Sequence, residues 1–267
     1  MNKQLPGTFL DRVVQAKRDE VEYRKKRICL NRIRWNAPAR DFKSALEKPG
    51  LAAIAEIKRQ SPSAGLLRQS FEPAKIARSY EANGASAISV LTDTPLFGGH
   101  IRDVQTVKTA CALPVLRKEF IVDAYQIHES RAIGADAVLL IARILDPKQL
   151  RDYVQMAADL GLSILVEVHS ADEMQSAVDA GARMIGINNR DLDTLTVDLN
   201  RCLDLIRLIP GDCLSVAESG IGTRKHVRRV EEAGFDAMLI GGSLMREPDP
   251  GEKLAELLES RTRRVSL

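Results

Sequence analysis

Aromatic residues are scarce in this chain: one Trp, four Tyr and six Phe make up 4% of 267 residues. So few rings leave no platform on which successive bases could stack, and nucleic acid is not an expected partner. Neither sign of charge dominates. Lys and Arg number 39 against 36 Asp and Glu, a formal net charge of +3. That balance implies no polyanionic partner and is compatible with a small anionic substrate. Cysteine is sparse too. Cys29, Cys111, Cys202 and Cys213 show no Cys-x-x-Cys spacing and no neighbouring histidine pattern, which argues against zinc and for free thiols in a reduced compartment. His100, His128, His169 and His226 do not stand at metal-ligand spacing, so no metal is expected. No Gly-x-Ser-x-Gly is present, and Ser219 has no evident triad partner. The N-terminus lacks an apolar signal region and no apolar run nears the length of a membrane span, so the expectation is a cytoplasmic protein with no membrane partner.

What is present is a large aliphatic content arranged in rhythm. Apolar residues are 45% of the chain, mostly Ala, Val, Ile and Leu, a composition suited to buried parallel strands covered by helices. Strands are expected at 51–58, 86–91, 114–117, 137–141, 163–168, 184–187, 214–217 and 237–240. Helices are expected between them at 73–83, 101–110, 124–133, 147–160, 171–180, 199–208 and 224–233, with an eighth at 252–260. Pro73 and Pro147 stand where proline favours a helix start. An internal repeat runs through the series: Asn83-Gly84-Ala85, Ile133-Gly134-Ala135, Ala180-Gly181-Ala182 and Ala233-Gly234-Phe235, with Leu160-Gly161-Leu162 as a looser copy. Each reads as a helix end, a glycine able to take the left-handed cap, and then a strand. The glycines are spaced by one or two times about 25 residues, the size of one unit of a (β/α)8 barrel. A doubly wound open sheet is the alternative, but it calls for a glycine fingerprint after an early strand. Gly220-Ile221-Gly222-Thr223 lacks the third glycine and comes late. The expected architecture is therefore α/β, a single (β/α)8 TIM barrel over 51–267, with 1–50 as an N-terminal helical extension.

Within that extension, residues 8–28 read as a long helix with Phe9, Val13, Val14, Ala16 and Val21 as a partial apolar stripe. A second short helix is expected at 41–48, closed by Pro49-Gly50. The strongest basic run is Arg24-Lys25-Lys26-Arg27, followed by Arg32 and Arg34. A nucleic-acid arm is one reading. A solvated helix end, where cations complement the helix dipole, is the better one given the lack of interleaved aromatics.

The stretch from Ala53 to Gly65 begins as an apolar strand and turns abruptly into charge and breakers. Alternation places Ile54, Glu56 and Lys58 on one face and Ala53, Ala55 and Ile57 on the other. A carboxylate and an ammonium at the C-terminal end of an apolar strand make sense where that face opens into a polar cavity, and Ser61-Pro62-Ser63-Ala64-Gly65 supplies a loop able to cover it. Other strand ends repeat the theme with Thr92-Asp93, Arg117-Lys118-Glu119-Phe120, Glu167 and His169, Asn188-Asn189-Arg190-Asp191, and Glu218-Ser219-Gly220. In a barrel these converge at one mouth, where such enzymes keep their chemistry. Two late glycine stretches, Ser219-Gly220-Ile221-Gly222 and Gly241-Gly242-Ser243, fall after strands seven and eight, the pair of slots that commonly binds phosphate through backbone N–H groups. Lys118 has two readings: a Schiff-base nucleophile or a general acid. Glu167 is a partner base or a stabiliser of developing cation. Two lysines brought close together would depress each other's pKa and favour acid work near neutrality.

Ala55-Glu56-Ile57-Lys58-Arg59-Gln60-Ser61-Pro62-Ser63 closely resembles the signature of the indole-3-glycerol-phosphate synthase family of tryptophan biosynthesis. Ser89 to Asp93, Leu116 to Phe120, Leu165 to His169, Gly186 to Leu192, Ala217 to Ile221 and Ile240 to Met245 resemble its other strand ends, in order, within a likeness running over about residues 9–257. The resemblance implies a (β/α)8 lyase acting on a small sugar phosphate without metal or cofactor, as a monomer or weak homo-oligomer. The reaction implied is the decarboxylating and dehydrating ring closure of 1-(2-carboxyphenylamino)-1-deoxyribulose 5-phosphate. By position, Lys118 resembles the general acid, Glu167 the general base, and Lys58 the lysine that grips substrate anions and assists dehydration. Glu56, Asn188 and Arg190 resemble the set that positions side chains and sugar hydroxyls, with Arg59, Ser61 and Glu218 as further substrate-binding candidates. Ser219, Gly220, Gly241, Gly242 and Ser243 resemble the phosphate cradle, and Phe97 and Phe120 the residues packing the anthranilate ring. The extension resembles a helical cap over the barrel mouth. One departure is local: Phe97-Gly98-Gly99-His100 stands where the family has a Phe-x-Gly-Ser-like segment. Outside this family, the open readings are another phosphate-binding barrel, such as a sugar-phosphate isomerase or a Schiff-base aldolase, and a non-catalytic binding protein.

Overall fold

The computed structural model describes residues 7–27, 30 and 37–258. Ile28, Cys29, Arg32, Arg34, Glu259 and Ser260, on which some expectations fall, lie outside the described residues. The strands in chain order are β1 (Ala52–Ile57), β2 (Gln60–Ser61), β3 (Gly65–Leu66), β4 (Ala87–Leu91), β5 (Val115–Lys118), β6 (Ala137–Ile141), β7 (Ser163–Val168), β8 (Met184–Asn188), β9 (Leu214–Glu218) and β10 (Ala237–Ile240). All but β2 and β3 form a closed barrel in the order β1-β10-β9-β8-β7-β6-β5-β4. Every neighbouring pair in it is parallel. The chain is thus a (β/α)8 barrel. β2 and β3 pair as an antiparallel ribbon beyond the end of β1, where a plain loop is expected from the breakers.

Eight helices follow the eight barrel strands: Pro73–Ala82, Ile101–Ala110, Ala124–Ala132, Pro147–Asp159, Ala171–Asp179, Asn200–Leu205, Arg224–Glu232 and Pro250–Leu258. The repeat glycines that end five of them, Gly84, Gly134, Gly161, Gly181 and Gly234, all have φ between 71° and 89°, the left-handed conformation that closes a helix without Cβ strain. The helix expected over 199–208 shortens to Asn200–Leu205 and tightens into a 3-10 turn at Ile206–Leu208. Pro210 forces Ile209 into extended backbone (ψ 126°) and stops it. The last helix begins at Pro250, two residues earlier than expected, because proline suits a first helical turn. Two four-residue helices, Thr94–Phe97 and Gly242–Met245, are too short to leave a periodic signal.

Strand alternation divides the core. Ala53, Ala55 and Ile57 face outward into the shell beneath the helices, together with Ile88, Val90, Val166 and Ile185. Ala52 and Ile54 face the barrel axis with Ala87, Leu116, Leu139, Leu165, Val216 and Leu239. The two N-terminal helices lie at opposite ends of this axis. Helix α1 (Phe9–Lys25) starts from a capping box between Thr8 and Asp11 and brings Phe9 and Leu10 to the barrel mouth. Helix α2 (Phe42–Leu46), capped by Asp41, buries Phe42 and Leu46 in the axial core against β1 and β4, next to Ala52 at the start of β1. Among the described residues of the extension, α1 covers the mouth and α2 plugs the far end. The buried seam of α1 is Leu10, Val13, Lys17 and Val21, with a lysine at its centre, while Ala16 is exposed. Among the described residues no helix is long and apolar enough to cross a membrane.

Arg117 and Lys118 show how one strand serves two needs. Lys118 faces the barrel mouth, and Arg117, wholly buried, faces outward. Its guanidinium donates to Thr92 Oγ1 (3.1 Å), Gln126 O (3.1 Å), Ser130 Oγ (3.0 Å) and Glu129 Oε2 (2.9 Å). Glu129 also receives Arg24 from α1, so β5, its following helix and α1 share one ionic joint. Removing one partner of a buried pair leaves the other uncompensated. Arg117→Leu is therefore expected to lower unfolding free energy by about 3–5 kcal/mol, read as a lower urea midpoint at unchanged slope; a change within about 1 kcal/mol would contradict this role.

Candidate active site

At the C-terminal ends of the strands the barrel opens into a cavity of about 350 Å³. Inward positions continue upward from the apolar axis and become polar at one level: Glu56 on β1, Lys118 on β5, Glu167 on β7, Asn188 on β8 and Glu218 on β9. Two glycines make room for this layer. A Cβ on Gly241 would stand 2.0 Å from Glu56 Oε1, and one on Gly186 would stand 2.1 Å from Glu218 Oε1. Both carboxylates therefore occupy space that any side chain at those positions would take.

Lys118 is the hub. Its Nζ lies 2.5 Å from Glu218 Oε2, 3.5 Å from Glu167 Oε2 and 3.9 Å from Glu56 Oε2. Lys58 Nζ binds the other oxygen of Glu56. Asn188 donates to Glu167 Oε1 at 3.0 Å and accepts from the Arg190 N–H at 2.9 Å, which fixes its amide orientation. Burial works against the charge on Lys118, but Glu218, Glu167 and Glu56 outweigh it and hold its pKa well above the ordinary lysine value. At an effective dielectric of about 20, unit charges about 4 Å apart interact by about 4 kcal/mol, so three carboxylates readily dominate. For Lys118 this reverses the expectation of depression by a neighbouring lysine: the neighbours that decide are anions. Burial also opposes ionisation of Glu56 and Glu167, yet Lys58 and Lys118 keep Glu56 below the usual carboxylate range, and Lys118, His169 and the Asn188 amide do the same for Glu167. Glu218 goes the other way. Burial and the charge on Glu167 push it up to about 7 against the pull of Lys118.

Beside this cluster the two late loops meet. Ser219 and Gly220 are both left-handed, with φ of 64° and 80°. Asn189 supports the turn by donating to the carbonyls of Glu218 (2.9 Å) and Ser219 (3.1 Å). Ser243 Oγ donates to Ile221 O at 2.8 Å and ties the β10 loop to the β9 loop. Ser219, Gly220, Gly222, Gly241, Gly242 and Ser243 all border the cavity, a glycine-rich wall that an oxyanion can approach closely. Phe97 and Phe120 line the cavity beyond β4 and β5, their centroids 6.3 Å apart.

Of the residues singled out from sequence, Glu56, Lys58, Ser61, Phe97, Lys118, Phe120, Glu167, Asn188, Arg190, Ser219, Gly220, Gly241, Gly242 and Ser243 line this one cavity. Arg59 does not: it is exposed and stands past the end of β1. Glu218 does not line the cavity: it is fully buried and pairs with Lys118 at 2.5 Å. Several bordering residues carried no sequence signal, among them Phe9, Leu10, Leu195, Val197 and Arg246. Lys17 is the largest omission. Its ammonium is buried between Asp93 Oδ2 (2.8 Å), Glu119 Oε1 (3.1 Å) and Glu20 Oε2 (2.7 Å), and these acids raise its pKa despite burial. Asp93 and Glu119 are thus engaged with α1. A lysine inside an otherwise apolar stripe was the available clue.

The indole-3-glycerol phosphate synthase family profile matches residues 10–257 of this chain. A protein of that name from Albidiferax ferrireducens is 48% identical over 259 residues, covering 93% of this chain and 97% of its own. Another from Burkholderia ambifaria is 46% identical over 256 residues, covering 93% and 98%. Among solved structures, a thiamine phosphate pyrophosphorylase from Pyrococcus furiosus is similar with a TM-score of 0.59 at 18% identity, over 78% of this chain and 94% of that one. KGPDC from Streptococcus mutans gives 0.60 at 13% identity, over 80% and 98%. Identity that low bears on the fold alone. The family profile and the near-full-length relatives carry the conclusion that this chain belongs to the indole-3-glycerol phosphate synthase family.

Proposed function

We propose that this protein is a cytoplasmic carboxy-lyase of tryptophan biosynthesis that converts 1-(2-carboxyphenylamino)-1-deoxyribulose 5-phosphate into indole-3-glycerol phosphate, carbon dioxide and water. The observation that carries the reading is a fully charged lysine, Lys118, held among Glu56, Glu167 and Glu218 inside a cavity bounded by an oxyanion-accepting glycine wall and two phenylalanines.

The phosphate occupies the wall of Ser219, Gly220, Gly241, Gly242 and Ser243, and the carboxyphenyl ring lies toward Phe97 and Phe120. Lys58 and Ser61 take the ring carboxylate, and Asn188 and Arg190 the sugar hydroxyls. Held at both ends, the ring carbon that bears the carboxylate is brought against the ribulose carbonyl carbon. As that bond forms, the carbonyl oxygen gains negative charge and takes a proton from Lys118. An alkoxide is far more basic than an amine, so this transfer is downhill even from a lysine of raised pKa. Loss of carbon dioxide restores the aromatic ring. The new hydroxyl then leaves as water with a proton from Lys58, while Glu167 removes a proton from the methylene carbon beside the nitrogen, and the indole is complete. The carboxylates around Lys118 also stabilise the cation that develops on the way. The raised pKa of Lys118 speaks against the Schiff-base reading, since a protonated amine is no nucleophile.

Two outcomes test this. Lys118→Ala and Glu167→Gln should each lower kcat by about 10²–10⁴-fold, the range of general acid–base catalysis, with substrate affinity largely retained. Wild-type kcat in either variant would remove the assignment. The second outcome concerns pH. Below about 7 Glu218 is neutral and Lys118 loses its nearest counter-charge; above it that charge is present. kcat/KM should therefore rise with pH through about 7, and Glu218→Gln should abolish that rise; a variant profile identical to wild type would contradict it.

A further inference from the structure

His169 stands one residue beyond β7 and belongs to none of the roles assigned above. Its side chain is 5% exposed. Nδ1 lies 3.1 Å from Glu173 Oε2, the same oxygen that accepts the His169 backbone N–H at 2.7 Å. Glu173 is held in turn at the start of its helix, its N–H donating to the Ser170 cap at 3.2 Å. An ionised carboxylate can only accept, so Nδ1 is the donor in that contact. Nε2 is left facing Glu167 Oε1 at 3.4 Å, with no hydrogen-bond partner of its own. A neutral ring in this position would turn a lone pair toward the Glu167 carboxylate. A protonated ring presents an N–H to it and sits between two anions. We propose that His169 is a positioning residue for Glu167: clamped by Glu173, its imidazolium holds Glu167 ionised and turned toward Lys118.

The surroundings agree. The charged groups acting on the ring are Glu173 from its own helix, Glu167 on β7 and Glu218 on β9. Lys118 of β5 lies on the other side of Glu167, and Asn188 of β8 is neutral. Arg143, from the 3-10 turn Ala142–Ile144 packed against the same helix, is engaged by Asp193 at 2.7 Å. Burial lowers the affinity of His169 for a proton, but the three acids more than offset it and raise its pKa above 6.5. Reciprocally, the cation on His169 is one of the causes that lower the pKa of Glu167.

The consequence has a definite sign. Removing the cation makes Glu167 and Glu218 harder to ionise, so the acid limb of kcat/KM, which belongs to that pair, must move to higher pH. His169→Asn suits the test because an amide can still donate to Glu173 but carries no charge. The expected result is an acid limb raised by roughly half to one unit, with KM within about twofold of wild type. An unmoved limb would overturn the proposal. Glu173→Gln should move the limb the same way, and it carries the test should His169→Asn fail to fold by circular dichroism. The proposal rests on Glu167 as the base, so a readout independent of turnover is needed. In the whole protein with ¹³C-labelled histidine, the signal lost in His169→Asn should titrate above 6.5 and fall on Glu173→Gln and on Glu167→Gln. A midpoint at or below 6.5, or one indifferent to Glu167→Gln, would refute the pairing. Retained turnover in Glu167→Gln with the expected titration would instead refute the base assignment alone.

Discussion

One ammonium among three carboxylates is the constraint around which this molecule is arranged. Before any substrate arrives, Glu56, Glu167 and Glu218 favour the charged form of Lys118, and its charge in turn favours their ionisation. Such a cluster contributes little to stability compared with a packed apolar layer. On the proposed mechanism its worth lies in catalysis: a proton donor, its counter-charges and a base are fixed in place before the substrate arrives. The fold makes this possible by construction. Inward alternation on parallel strands delivers the groups at one level, and glycines at 186 and 241 leave the volume the carboxylates fill. The pKa directions follow from the same geometry. Glu56 and Glu167 are lowered because nearby cations outweigh their burial; Glu218 is raised because burial and the charge on Glu167 outweigh Lys118, although it is the nearest of the three to that lysine.

Around this hub the N-terminal helices act at opposite ends of the barrel. α2 closes the bottom with Phe42 and Leu46. α1 is fastened to the mouth by charge, through Lys17 on Asp93 and Glu119 and through Arg24 on Glu129. A seam with a lysine at its centre favours one docking register, because sliding α1 by a turn would bury that charge without partners. Phe9 and Leu10 then border the cavity as a consequence of where the lysine is held.

Much of this was legible in the sequence. Glycines recurring before five of the eight barrel strands disclosed the barrel because the left-handed cap is a local requirement that few other residues meet. Period-two alternation placed Glu56 and Lys58 on one face correctly, and the polar strand ends named most of the cavity wall. What escaped depended on partners far apart in the chain. Lys17 raised no expectation because two of its three acids, Asp93 and Glu119, lie more than 70 positions away. Nothing local told Glu218, which is buried out of the cavity lining, from Asn188, its register partner, which borders it. Arg59 was chosen for its neighbours in the motif, and in the structure it is exposed and outside the cavity lining. The sign of the Lys118 shift was misjudged because one lysine pair was considered without the carboxylates around it.

The central claim is that Lys118 gives a proton to the substrate and never bonds to it. The most direct measurement follows indole fluorescence and intact protein mass together while the protein meets 1-(2-carboxyphenylamino)-1-deoxyribulose 5-phosphate in the presence of borohydride. The account predicts that the indole signal grows and the protein mass stays unchanged. A reduced adduct on Lys118, or no indole at all, would contradict it.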